Sequence, residues 1–379
     1  VKFVSLYKNI TYLEAAFEVA YEFGLITYDE YRRYYRRKYD ERYVKKIESR
    51  YSQSQKEKVV RKKVSPVIIH NVYQCMKDCC SLSDHHRLSL IRERKISLAR
   101  IEQDYFTCPT NWRQKDAIIT RIKEKYPDYT EEILMDIPGF FYDKKRGKLS
   151  FTGYKGLGIL IRNSDSRIVA IQIRKDTIQE GDSRYIWFSS TFATYNPDEY
   201  NGGNGCGSPK DVCYPSMIKK HTLCITEGRF KSEKLTESGN ISISVQGVTS
   251  WHGIEDTIRH MKGIHNVFIF FDADILGKHV LFMQSEKMIR KIQDEFPGLY
   301  IRYAFWSKQN GKGIDDCIIA GNISKVKYYE AKRAAKICND AYTHALAEYH
   351  VANLRELEQE RAKEFEDYLQ ILTESMLGL

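Results

Sequence analysis

A chain of 379 residues, 42% of them hydrophobic, is long enough for two or three domains of about 100 to 200 residues, each with its own core. No stretch approaches the roughly 20 uncharged apolar residues of a membrane span, and the start of the chain lacks a charged segment followed by an apolar block; a cytoplasmic location with no membrane partner is expected. The formal charge of +10 is concentrated in residues 1–100, which hold 22 Lys and Arg against 12 Asp and Glu, an excess that suits a polyanionic partner because cationic side chains release counterions from phosphates.

Residues 10–26 read as one short helix, with Thr11 as N-cap, Glu14 three positions on and Gly24 as its stop. From Tyr28 to Lys63 the chain is dense in Tyr, Arg and Lys. Tyr28, Tyr31, Tyr35 and Tyr39 fall at helical spacing and leave Arg32, Arg33, Arg36 and Arg37 on other faces, a pattern that serves either a solvated basic helix or a surface tracking nucleic acid. Pro66 ends that stretch and marks a boundary. Residues 67–137 read as helices, with Ile118, Ile119 and Ile122 on one face. Within them Cys75, Cys79, Cys80, His85 and His86 look superficially like a metal cluster, but they sit in a helical apolar pattern without two separated ligand pairs, so buried thiols are expected. The chain has 9 cysteines, irregularly placed, which fits reduced thiols.

After Pro138 the pattern changes to short β-rich runs at 149–151, 157–161, 168–174 and 185–188, which predict a curled antiparallel sheet. Asn196 to Pro215, rich in Gly, Asn, Asp and Pro, predicts a loop. Strands at 222–226, 241–246, 266–271 and 299–305 then alternate with helices at 230–238, 251–261 and 278–295, which predicts a mostly parallel sheet covered on both faces. The tail from Ser324 is expected to be helical throughout, its stripe of Leu354, Leu357, Phe365, Leu369, Leu372 and Met376 packing on the body or docking a partner.

Open parallel sheets bind ligands at the carboxyl ends of their strands, and three carboxylates fall at such ends. Glu227 follows the strand Leu-Cys-Ile-Thr and precedes Gly228; Asp272 and Asp274 end the run Val-Phe-Ile-Phe-Phe with i, i+2 spacing, which sends both to one side. Clustered carboxylates repel unless a cation neutralises them, and Mg2+ (or Mn2+), which keeps waters and completes its shell with phosphate oxygens, suits a polynucleotide-synthesising site. An Asp-x-Asp standing alone more often caps a helix.

The order of strand, Glu-Gly, helix, strand, helix, strand and Asp-x-Asp resembles the Toprim domain shared by primases and topoisomerases. Its matching stretches are Ile225-Thr-Glu-Gly-Arg-Phe-Lys-Ser232, Phe270-Phe-Asp-Ala-Asp-Ile-Leu-Gly-Lys278 and Gly311-Lys-Gly-Ile-Asp-Asp-Cys317. Residues 147–190 are similar to the basic subdomain that precedes Toprim in bacterial-type, DnaG-like DNA primases, residues 86–110 resemble that region's helical start, and residues 9–26 resemble the helix that ends the family's zinc ribbon. The resemblance implies an α+β chain with an α/β, Rossmann-like Toprim subdomain, a mixed or antiparallel basic subdomain before it and helical segments at both ends. The divisions expected are 1–65 (ribbon end and basic linker), 66–215 (basic subdomain), 216–322 (Toprim) and 323–379 (helical tail). Zinc is expected only with a ribbon upstream of this chain, whose first residue is Val.

The implied catalytic residues are Glu227, Asp272 and Asp274, with Asp315 and Asp316 completing the metal set. Arg162, Arg174, Lys175, Arg184, Lys231, Lys278 and Lys312 are the candidates to hold nucleotide and nucleic acid. Two positions depart from the family: Lys231 stands where an Asp is common, and Gly313 replaces the first Asp of the closing segment. The implied function is synthesis of RNA primers from ribonucleoside triphosphates on a single-stranded DNA template, beside a replicative helicase, in the variant found in phages, plasmids and integrative elements. A Toprim-type metal-dependent nuclease and a non-catalytic DNA-binding replication module are the alternatives.

Overall fold

The structure, a computed structural model, describes residues 12–23, 25–27, 63–178, 183–191, 204–352, 357 and 359–379. The chain divides into two units, one of residues 1–61 and 192–202 and one of residues 62–191 and 203–379. In the smaller unit the described element is helix α1, Tyr12–Glu22, on which Ala15 is buried. Thr11, Gly24 and the Tyr-Arg stretch of residues 28–62 lie outside the described residues.

The larger unit opens where Pro66 takes the first turn of α2, Pro66–Asp78, behind the N-cap Ser65; the missing N–H of proline costs nothing there. Helices α3 (Asp84–Leu88), α4 (Leu98–Asp104), α5 (Trp112–Lys125) and α6 (Glu131–Met135) follow, α3 continuing into a π-turn at Ser89–Glu93. Strand β1, Tyr105–Thr107, interrupts the expected helical run. After the hairpin β2 (Phe140–Asp143) and β3 (Lys148–Phe151) come β4 (Gly156–Arg162), β5 (Ile168–Lys175) and β6 (Tyr185–Trp187). These build an antiparallel sheet in the order β1-β4-β5-β6. Every residue of β4 is buried because the sheet is covered twice. Leu160, Ile171 and Ile173 pack with α2 and α5 on one face, and Leu157, Ile159 and Ala170 pack with Leu90, Ile96, Ile101 and Phe230 on the other. Gly158 faces the Phe106 ring across the β1–β4 register, and a side chain there would enter the ring's space.

The second sheet has the order β12-β11-β10-β8-β9-β7. Its strands are β7 (Asp211–Cys213), β8 (Thr222–Thr226), β9 (Ile241–Ser244), β10 (Asn266–Phe270), β11 (Tyr300–Phe305) and β12 (Lys327–Glu330). The four central strands are parallel, as the alternating strand and helix pattern predicts, and both edges are antiparallel. Those edges correct two expectations: β7 lies in the segment read as loop, and β12 lies in the tail read as helix throughout. Alternation along the strands sends Leu223, Ile225, Val267 and Ile269 to one face, against Phe282, Ile289 and Ile292 of α9 (His279–Glu295) and Ala334 of α11 (Ala331–Glu348). Cys224 and Phe270 go to the other, against Leu235 of α7 (Arg229–Thr236) and Ile314 of α10 (Ile314–Ile319). A short helix α8, Ile254–Arg259, packs at the α9 side.

The tail ends in α12, Gln359–Leu377. Phe365 and Leu369 bury against Ala341 and Ala345 of α11, with Leu357 and Leu372 beside them, which is the packing alternative for the apolar stripe; Met376 is exposed instead, and Leu354 lies outside the described residues. Among the described residues no helix is long and apolar enough to cross a membrane. Cys75 is buried, as expected, while Cys79 is exposed. His86 is held between Thr107 and Asp176, each 2.8 Å away.

One buried ion network joins the two sheets. Arg229, at the start of α7, bonds Asp211 of β7 (3.0 Å), Glu233 (2.8 Å), the Leu160 carbonyl of β4 (3.0 Å) and Asp104 at the end of α4. Arg162 of β4 donates to Asp104 (2.7 Å), and its backbone N–H donates to Asp211 (3.0 Å). Burial by itself would weaken the Arg229 charge, but Asp211, Glu233 and Asp104 outweigh it and hold the guanidinium firmly protonated.

Arg229→Met fills the space but takes the shared guanidinium from three buried carboxylates, leaving Asp104 and Asp211 to Arg162 and Glu233 to Arg100. It is expected to lower the unfolding free energy by about 3–5 kcal/mol in urea denaturation; a loss under about 1 kcal/mol, the size of a surface pair, would show that the network does not join the sheets. A second expectation concerns pH. His279 stacks on Tyr342 at 3.6 Å, and burial pushes its imidazole down from 6.5 to about 4. The fold therefore favours the neutral ring, and its contribution is complete above pH 6.5 and is lost as pH falls toward 4. His279→Phe should flatten the decline of the melting temperature across that window, and an unchanged decline would assign it to other groups.

Candidate functional site

Glu227 leaves the end of β8 two residues before the buried Arg229, so the network that pins α7 also fixes the turn carrying Glu227. The turn is further held by Gly247 N–H donating to the Glu227 carbonyl (3.1 Å) and by the Thr226 hydroxyl donating to the Phe270 carbonyl (2.7 Å), which clamps the ends of β8 and β10 together. Asp272 follows β10 and its N–H donates to Glu227 Oε1 at 3.2 Å. The closing segment is tied alongside, because Ala273 N–H donates to the Lys312 carbonyl at 2.9 Å. Gln370 of α12 braces the Asp-x-Asp loop from behind, accepting from Gly277 N–H (2.9 Å) and donating to the Ala273 carbonyl (3.0 Å).

A cleft of about 590 Å³ opens over these carboxylates. Glu227, Asp272, Asp315, Asp316, Lys231 and Lys312 line it from the parallel sheet, and Arg94, Gln172, Arg184, Tyr185 and Trp187 line it from the antiparallel one. Each acid is already paired. Lys231 contacts Asp272 Oδ1 and lies 3.8 Å from Glu227 Oε2. Asp274 pairs with Lys278 at 2.8 Å and Lys312 at 3.5 Å, and Asp315 pairs with Arg94 at 3.1 Å. Asp316 accepts the Gly313 N–H at 3.2 Å and so caps α10.

These pairings set the charge states. Burial and the neighbouring Asp272 raise the Glu227 carboxyl despite Lys231. Burial and Asp316 likewise raise Asp315. Burial would lift Asp274 too, but Lys278 and Lys312 outweigh it and hold that carboxyl below its usual range. Burial opposes the Lys231 charge, and Asp272 and Glu227 more than restore it.

Among the described residues no three His, Cys, Asp or Glu side chains close on a point as a metal cage. The space between Glu227 and Asp272 is filled by an ammonium. Asp272 and Asp274 are two carboxylates two residues apart after β10, a donor set that would suit only a hydrated ion of the kind that keeps waters and shares phosphate oxygens instead of taking an all-protein shell.

Of the expected basic residues, Arg184, Lys231 and Lys312 line the cleft, while Lys278 pairs with Asp274 and neither of those two lines it. Arg162 is a correction: its guanidinium is committed to Asp104 and the Ser166 carbonyl, and its role is structural. Arg174 and Lys175, on β5, are not brought to the cleft wall. Sequence reasoning missed Arg94, whose guanidinium also sits 5.0 Å over the Phe230 ring, together with Gln172, Tyr185 and Trp187. The π-turn and Lys95, at φ 52°, aim Arg94 inward, and neither feature has a clear sequence signature beyond lying in residues 86–110.

A family described as a domain of unknown function (DUF3854) matches residues 214–324. No curated protein matches the chain. Among solved structures, the zinc-binding and RNA polymerase domains of the Aquifex aeolicus primase are similar over 100% of this chain and 83% of that one, at 14% identity and a TM-score of 0.50. The RNA polymerase domain of Mycobacterium tuberculosis primase is similar over 80% of this chain and 97% of its own, at 15% identity and a TM-score of 0.50. The chain thus has the α+β fold of the bacterial primase RNA polymerase region.

Proposed function

We propose that the chain is a DNA primase, a nucleotidyltransferase that joins ribonucleotides on single-stranded DNA, and that the cleft between its two sheets is the active site. The observation that carries the reading is the meeting of Glu227 and Asp272, at the carboxyl ends of parallel strands, and Asp315, in the first turn of α10, with Arg94, Arg184 and Lys312 across one open cleft. A purely structural acidic cluster would bury its charges with their partners and leave no room, whereas this one faces a volume fit for a nucleotide. The shared fold supports the same reading.

In the proposed reaction the 3′-oxygen of one ribonucleotide forms a bond to the α-phosphorus of the next triphosphate, the bond to the β-phosphate oxygen breaks, and pyrophosphate leaves. Glu227, raised by burial, is suited to receive the hydroxyl proton. Arg94 and Arg184 present positive charge to the triphosphate, and Lys278 and Lys312 gain a phosphate partner when they leave Asp274. Bound at Asp272 and Asp274, Mg2+ or Mn2+ would lower the hydroxyl's pKa and screen the phosphoryl oxygens. Tyr185 and Trp187 offer ring faces to bases. Service to a phage or other mobile element, a helicase partner, a cytoplasmic location and the division at residues 66, 216 and 323 belong to the same proposal.

The test is primer synthesis on mixed single-stranded DNA with labelled ribonucleotides and Mg2+ or Mn2+, comparing the chain with Asp272→Asn/Asp274→Asn. Short products lost by at least about 100-fold in the double variant are expected, the scale of removing a charge-stabilising group from a reaction centre. If neither self-started nor preannealed primers are extended while DNA is still bound, the polymerase reading fails and a non-catalytic DNA-binding module replaces it. Metal-dependent DNA cleavage without synthesis would point to a nuclease.

A further inference from the structure

Positions 231 and 313 meet in space although 82 residues separate them in the sequence. Lys231 is one helical turn after Glu227, so its stem runs up the face that carries Glu227, and its ammonium ends between Glu227 and Asp272. Only 17% of its side chain is exposed. Gly313 flanks that stem. A Cβ on Gly313 would stand 2.9 Å from Lys231 Cε and 3.6 Å from Asp272 Oδ1, and would collide with Asp315 Oδ1. The backbone there is extended, at φ −93° and ψ 161°, which any residue adopts. Space, not conformation, therefore favours the glycine, and what occupies the space is the Asp315 carboxylate together with a lysine stem aimed at two carboxylates.

A surface i, i+4 pair would need neither the gap nor the burial. Here the ammonium is a compact point charge held within the acidic set on a side chain that cannot dissociate, and the two carboxylates it serves come from different strands. We propose that Lys231 is the resident cation of the Glu227–Asp272 pair, standing where a divalent ion would otherwise bind, and that Gly313 admits it. The chain then holds at most one divalent ion, on the Asp272–Asp274 side. This deepens the nucleotidyl-transfer reading of the cleft: one of the positive charges facing the reacting phosphates is built into the protein.

The test uses the full chain and Mn2+ alone, counted by the electron paramagnetic resonance signal of free Mn2+ and paired with thermal unfolding. The wild type should bind no more than one Mn2+. Lys231→Asp should gain a further ion, tighter by on the order of tenfold or more than any wild-type site, since ligand charge count sets such affinities; Glu227→Gln in that background should lose the gained ion. Lys231→Met, which leaves the acids facing each other, should melt lower than wild type in chelator and recover with Mn2+. Two ions on the wild type at the affinities of Lys231→Asp would overturn the proposal. So would a Lys231→Met melting temperature indifferent to Mn2+, which decides the matter even if Lys231→Asp fails to fold. Gly313→Ala should cost less stability beside Lys231→Ala than beside Lys231, and equal costs would remove Gly313 from the account. None of these readouts involves primer synthesis, so a failure here and a failure of the polymerase reading are separable.

Discussion

The guanidinium of Arg229 is the constraint on which the rest of the molecule depends. It bonds an acid from the helix before β1, an acid from the edge strand β7, an acid on its own helix and a carbonyl of β4. A charge buried this deeply is tolerated only when its donors find acceptors, and here the acceptors come from the elements of both sheets. No partner is replaceable alone by apolar packing, because the others would be left buried with fewer counter-charges, and the set as a whole ties the two sheets together. Because Arg229 directly follows Glu227-Gly228, the same bonds that align the sheets fix the first carboxylate of the cleft. Fold and site therefore share one interaction.

The parts legible in the sequence were those with a strong local signal. The strands β8, β10 and β11 are apolar runs long enough to outweigh other conformations, and the acids at their ends were visible because the chain turns there. Strands β1, β7 and β12 were not legible: they are three or four residues long, at sheet edges or inside polar segments, and exist because a neighbouring strand pairs with them. Lys-Tyr-Tyr-Glu has no strand pattern of its own. Arg162 misled for a related reason, since a basic residue ending a strand beside a proposed nucleotide site looks the same whether it faces solvent or a buried Asp 58 residues away in the chain. Arg94 was invisible because a π-turn, not a motif, directs it. The bracing of the Asp-x-Asp loop by Gln370 was equally hidden, 97 residues from the carbonyl it bonds.

The electrostatics of the cleft divide it into a fixed and an exchangeable part. Lys231 is largely buried, its charge reinforced by two acids, and Asp315 is held by Arg94 from the other sheet. These pairs move little. Lys278 and Lys312, more exposed and sharing Asp274, are pairs of the weak surface kind, in which a long side chain exchanges one anion for another at little cost. A polyanion would compete for those two lysines better than a single carboxylate does, because it offers more charge and more acceptor oxygens. Those two lysines are also what holds the Asp274 carboxyl below its usual range. The arrangement thus neutralises Glu227 and Asp272 with a largely buried lysine and Asp274 with two more exposed ones.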